Sequence, residues 1–186
     1  MTAAFAITAT ILSLTGAMRL VELAVSVRRW KARPDALVAE PALFPAMAGL
    51  HAALVALPLL EIVLFDRPFL PPLAAACGLL LAAATALRVW TLRTLGRSWN
   101  VRVVVPDRVV TDGPYAFIRH PNYLVVVIEL IALPLFHTAW LSAVALGVWN
   151  GLVLMRRIAT EERALAQLPA WQAAFANKAR LIPGVF

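Results

Sequence analysis

Three long apolar runs open the chain: Ala3 to Val27, Ala42 to Phe65, and Phe69 to Trp90. A bilayer core about 30 Å thick takes roughly 20 apolar helical residues to cross, so each run predicts a transmembrane helix. Asp66, Arg67 and Pro68 leave room only for a tight turn between the second and third runs, which makes those two an antiparallel hairpin. The stretch from Thr91 to Pro121 is polar, basic and broken by Gly96, Pro106, Gly113 and Pro114, so it reads as a connecting segment. Its valine-rich middle, Val101 to Val110, suits an extended conformation. Two shorter runs, Asn122 to Phe136 and Trp140 to Met155, predict a second helical hairpin turning at His137 and Thr138. At about 1.5 Å per residue the first of them covers about 22 Å, short of the bilayer core. The tail from Arg156 keeps helical character to about Lys178 and is stopped by Pro183 and Gly184. The expected architecture is an all-α integral membrane protein of about five transmembrane helices, the last two a short hairpin, with a cytoplasmic C-terminal amphipathic helix. Residues 1–92 make a three-helix part and 93–186 the part that carries chemistry.

Composition supports a bilayer as the solvent. Apolar residues make up 62% of the chain, mean hydropathy is +0.81, and only 15% of residues are charged, against about 25% in soluble proteins. That is too little charge to coat a water-facing surface. The net charge of +7 does not point to nucleic acid, because the basic residues fall between the apolar runs. Arg28, Arg29, Lys31 and Arg33 follow the first; Arg88, Arg93, Arg97, Arg102, Arg108 and Arg119 follow the third; Arg156, Arg157, Arg163, Lys178 and Arg180 follow the last. Cytoplasmic loops are enriched in Lys and Arg, which predicts an N-terminus outside and a C-terminus in the cytoplasm. Met1 to Val27 lacks a basic leading region and reads as a retained helix, not a signal peptide. Cys77, the single cysteine, lies in an apolar run as a small filler, so neither a disulfide framework nor a metal site is expected.

Within the apolar runs, Pro58 and Pro134 predict kinks that free a carbonyl. Ala143, Gly147 and Gly151 predict close packing against a neighbouring helix. Arg19 and Glu22, three apart, read as a buried neutralising pair, and His51 and Glu61 as packing or cavity residues.

Candidate chemistry concentrates where the connecting segment enters the short hairpin, in Gly113-Pro114-Tyr115-Ala116-Phe117-Ile118-Arg119-His120-Pro121-Asn122-Tyr123. Pro121 suits the first turn of a helix, and Arg119 and His120 then sit at a helix N-terminus suited to holding a carboxylate or phosphate. Taken singly, the aromatic residues and arginine would be an interfacial anchor; as one run they make a better site. The second cluster lies in the tail: Arg157, Glu161, Glu162, Trp171, Arg180 and Pro183. Arg157 and Glu161 share a helical face, where an ion pair alone contributes a few tenths of a kcal/mol. Both clusters are expected on the same side of the membrane. Glu129, seven after Asn122, is an acid inside an apolar run, which is functional by default or else paired with an arginine or Asn150. Desolvation would suit it to accept a proton from a phenol or enol.

The run from Gly113 to Leu124, the hairpin after it, and the segment from Arg157 to Pro183 resemble the isoprenylcysteine carboxyl methyltransferase family and the related phospholipid methyltransferases. The stretch from Leu95 to Val105 looks like bacterial members that act on lipidic polyketides. The resemblance implies an S-adenosylmethionine-dependent enzyme whose cofactor is gripped by Tyr115, Arg119, His120, Pro121, Tyr123, Glu161 and Glu162. Together with the residue reading above, it leaves Glu129, His120 and Arg157 as candidates for catalysis, and Asn122, Glu129, Asn150 and Arg180 for the acceptor. The expected acceptor is a lipophilic small molecule entering from membrane lipid, either an alkylresorcinol- or alkylpyrone-like hydroxyl compound or a prenylcysteine-type carboxylate. Where many members carry paired tyrosines in the tail, this chain has Trp171 and Ala174. With no dinucleotide-type glycine motif and no alternation of strands and helices, a soluble Rossmann-like methyltransferase is not expected. Three alternatives stand beside this reading: a phospholipid N-methyltransferase, a sterol-reductase-like oxidoreductase, and a non-catalytic scaffold binding anionic headgroups. The sequence leaves the oligomeric state open.

Overall fold

The computed structural model describes residues 3–31, 43–101, 109–184 and Phe186. It is helical as expected, with α1 at Ala3–Lys31, α2 at Leu43–Leu64, α3 at Pro71–Leu95, α4 at Pro121–Leu135, α5 at Trp140–Leu165 and α6 at Pro169–Phe175. Among the described residues α1, α2, α3 and α5 have the length and apolarity to cross a bilayer, and α4 is a shorter apolar helix. Lipid is their outer solvent. Leu64 at 72% exposed, Leu79 at 75% and Leu14 at 65% form an outward apolar surface that water would not tolerate on this scale. The valine-rich stretch expected to be extended falls on 102–108, outside the described residues.

Helix ends follow local chemistry. Pro71, Pro121 and Pro169 occupy first turns, where the missing N–H costs nothing and the fixed φ favours the helix. Gly96, at φ 52°, ends α3 and donates its N–H to the Leu92 carbonyl. Asp66 and Thr138, at φ 46° and 52°, turn the two hairpins. Glu61, near the end of α2, accepts from the N–H groups of Leu141 and Ser142 at 3.1 and 2.6 Å. It thereby supplies the acceptors that the first turn of α5 lacks, and Arg67 balances its charge.

The helical character expected of the tail from Arg156 is shared by two helices: α5 runs unbroken to Leu165, and after a turn the short α6 begins. The reason is that the residues from Arg156 to Leu165 offer no breaker, whereas Pro169 starts a new helix. Two expectations need correction. Arg88 does not lie in a connecting loop. It is 4% exposed inside α3, because Arg88 follows Ala84 on the buried face of that helix. Gly147 and Gly151 do not receive a neighbouring helix, and a Cβ on either would meet open space.

α3 and α4 pack most extensively, α4 and α5 form the hairpin, α2 lies against α5, and α1 packs mainly on α2. Leu12, Leu50, Leu54, Leu130, Leu133 and Leu146 make one buried cluster shared by α1, α2, α4 and α5. It occupies the hairpin-turn end of the bundle, where Thr8 and His137 also bond at 2.8 Å. Toward the opposite end the helices diverge around a cavity.

Candidate functional site

The loop before α4 is built by one glycine. Gly113 sits at φ +58°, and a Cβ there would lie 2.5 Å from Thr94 Oγ1 and 3.0 Å from Trp90 Nε1, so only glycine lets the loop press on α3. From there the chain passes through a short 3-10 turn at Gly113–Ala116 and then pairs with the tail. Ile118 and Ala179 form a parallel bridge, and the N–H groups of Arg119 and His120 donate to the carbonyls of Ala179 and Arg180 at 2.9 Å each. This backbone contact joins residues about sixty apart.

Glu162 is the hub of the join. Its Oε1 lies 3.2 Å from Arg119 Nη1 and 3.2 Å from His120 Nε2, and its Oε2 accepts from Arg180 Nη2 at 2.9 Å. Arg119 spends its remaining donors on the tail, bonding the carbonyls of Lys178 at 2.7 Å and Ala176 at 2.8 Å, and it lies over the Trp171 ring. The Glu162 hydrogen bond and charge hold the Arg180 proton more firmly than usual. One helical step away, Glu161 accepts a short hydrogen bond from the Tyr123 hydroxyl, which itself accepts from Arg157 Nε at 2.6 Å. Arg157 also reaches the Val101 carbonyl and the Met47 sulfur. His120 stacks on Tyr123 with ring centroids 5.2 Å apart.

These groups form one wall of a cavity of about 720 Å³, within the size range of about 300–1,000 Å³ typical of small-molecule sites. Tyr115, Arg119, His120, Asn122, Tyr123, Asn150, Arg157 and Glu161 line it, as do the aromatic rings of Trp171 and Phe175. Burial and the nearby Glu161 charge push the Tyr115 hydroxyl well above its usual pKa, so it stays a hydrogen-bond donor.

Pro121, Glu162 and Arg180 stand behind the cavity wall, and so does Glu129, which is bound through both oxygens by Arg19 at 2.6 and 2.7 Å. Arg19 also bonds Glu22 at 2.6 Å, so the expected pair forms but belongs to a larger cluster. Glu22 in turn holds Arg88, which reaches Asn122 Oδ1 at 3.2 Å. Sequence reasoning missed Arg88 and the cavity-facing roles of Arg19, Glu22 and Met47, whereas His51 lines the cavity in keeping with its reading as a packing or cavity residue. The available signal was an intramembrane charge on each of two helices with a complementary charge on a third.

Comparisons with known proteins concern the same part of the chain. Residues 76–167 match the sequence model of the isoprenylcysteine carboxyl methyltransferase family. Over this segment, just under half of its length, the chain is similar to that family. The match takes in α3 from near its start, the loop, α4 and α5, and leaves α1, α2 and the Trp171 to Arg180 tail outside. A curated relative is "Uncharacterized protein YpbQ" of Bacillus subtilis (strain 168), 36% identical over 83 residues, which are 44% of this chain. The aligned part spans about half of that relative, 49% of its length. The matched segment contains both the Arg119–His120 and the Glu161–Glu162 groups, and residues beyond it complete the cavity.

Proposed function

We propose that the protein is an S-adenosylmethionine-dependent membrane methyltransferase acting on a lipophilic acceptor. One observation carries the reading: the loop at Tyr115–Tyr123 and the segment from Arg157 to Arg180 meet around a cavity that continues between apolar helices. The residues suit the cofactor. Its amino-acid end needs both a cation and an acceptor, available in Arg157 and Glu161; its ribose and adenine need hydrogen bonds and aromatic surface, available in Tyr115, Trp171 and Phe175. When bound, the cofactor would supply an electrophilic methyl group open to in-line attack at carbon by an acceptor oxygen, the carbon–sulfur bond breaking with its electrons to sulfur.

The chain's part is alignment and proton handling. Tyr123 is fixed between Arg157 and Glu161, so the wall is set before any ligand arrives. Arg119 and Arg180 position Glu162, and Glu162 orients His120. His120 is the cavity-wall group assigned to receive the proton of a hydroxyl acceptor; a carboxylate acceptor would need no base. Glu129 positions Arg19 and does not touch the acceptor. The basic residues at the helix ends favour a cytoplasmic face for this mouth.

The test is purified protein with radiolabelled S-adenosylmethionine and a panel of lipids. The expected result is label in a lipid hydroxyl or carboxyl product, together with a rise in melting temperature on adding the cofactor. Label on a phospholipid amine would favour N-methylation. Stabilisation by a nicotinamide cofactor alone would favour a reductase, and no saturable cofactor effect would leave a scaffold.

A further inference from the structure

The cavity has a second polar pole, deeper in the membrane than the mouth. Asn150 lies two helical turns from Arg157 on α5, about 10 Å further in. It is 5% exposed, it lines the cavity, and its amide has no protein partner among the described residues. The same cavity is lined by His51, whose Nδ1 is bonded to the Met47 carbonyl at 2.8 Å, and, nearer the mouth in the first turn of α4, by Asn122, whose Oδ1 accepts from Arg88. Arg19, Glu22 and Arg88 complete the lining.

The charges here cancel. Arg19 and Arg88 are cations; Glu22 and Glu129 are anions; and ion pairs tie each carboxylate to a guanidinium. α1 reaches α3 and α4 through these bonds, whereas its close packing is on α2. In a low-dielectric interior an added carboxylate would meet a balanced set and bring an unpaired charge, and an added ammonium would do the same with the opposite sign. A neutral group faces no such cost. It can donate to and accept from the Asn150 amide, as an isosteric apolar head cannot.

We infer that Asn150 and the Arg19–Glu22–Arg88 face form the acceptor head-group subsite, and that it selects a neutral hydroxyl-bearing amphiphile over a carboxylate or an amine. This rests on the reading of the protein as a membrane methyltransferase, and it narrows the acceptor class within it. The subsite orders the head below the mouth, with its hydroxyl turned toward His120 and its tail among the apolar helices.

Binding tests it without cofactor, so that its failure and that of the methyltransferase reading are separable. The full chain in nanodiscs is titrated with a labelled long-chain resorcinol, and with a carboxylate and an amine of the same tail as competitors. Wild type is expected to bind the resorcinol saturably and to hold either competitor about tenfold more weakly, or about 1.4 kcal/mol. N150L should weaken resorcinol binding by about tenfold while keeping the melting shift caused by S-adenosylmethionine, which reports an intact fold and mouth. E22Q leaves the cations in excess and should move the preference toward the carboxylate. A wild type that prefers the carboxylate or the amine overturns the inference on its own, as does an N150L that binds the resorcinol like wild type. A wild type that binds the resorcinol as expected but gains no stability from the cofactor sinks the methyltransferase reading and leaves the subsite standing.

Discussion

Glu162 faces Arg119, His120 and Arg180 together, so its removal leaves three donors without their shared acceptor. Glu162→Gln is expected to destabilise the protein by about 1–3 kcal/mol, the cost of stranding partly buried polar groups, read as a lower melting temperature, and to abolish stabilisation by the cofactor. Tyr123→Phe removes the hydroxyl that links Arg157 to Glu161. It should weaken cofactor binding by about tenfold, equivalent to about 1.4 kcal/mol, in a calorimetric titration, with little change in fold because the ring still packs on Leu154 and Ile158. Much at this scale was legible beforehand. Arg119, His120, Glu161 and Glu162 announce themselves as charged groups beside aromatic residues. Which side of the wall each would face was not legible, because a turn of α5 separates cavity-lining Glu161 from buttressing Glu162 by a single residue. Glu129 illustrates the same limit: its acidity inside an apolar run was plain, its capture by Arg19 from a helix 110 residues away was not.

Helices declare themselves by length and apolarity, so α1, α2 and α3 were readable from the pattern of runs. The continuity of α5 past Met155 was not legible from the apolar run alone, because hydropathy drops there while the backbone responds only to breakers. Glu61 also works at this scale. As an acceptor at the start of α5 it ties α2 to the second hairpin. Glu61→Ala should cost about 1–2 kcal/mol, the range for losing a cap, lowering the melting temperature while cofactor affinity in the folded protein stays unchanged.

Across the whole molecule, the basic loop and tail share one end of the bundle, and the hairpin turns occupy the other. A cysteine at Lys178 in a Cys77→Ala background is expected to react with a membrane-impermeant maleimide only from the cytoplasmic side. Reaction from the outer side of intact cells would reverse the orientation. No local pattern in the sequence could have revealed the parallel bridge of Ile118 with Ala179, since each strand of the pair is a residue or two long and the pairing depends on α4 and α5 turning the chain back.

The leucine cluster shared by α1, α2, α4 and α5 shuts the far end of the bundle. On the proposed function, a molecule drawn from lipid would then reach the mouth from one monolayer alone. For an acceptor with a head too polar to cross the bilayer by itself, turnover would then be set by how fast the opposite monolayer is emptied by flipping. In vesicles made with the acceptor on both faces, methylation should stop near half completion until something scrambles the lipid.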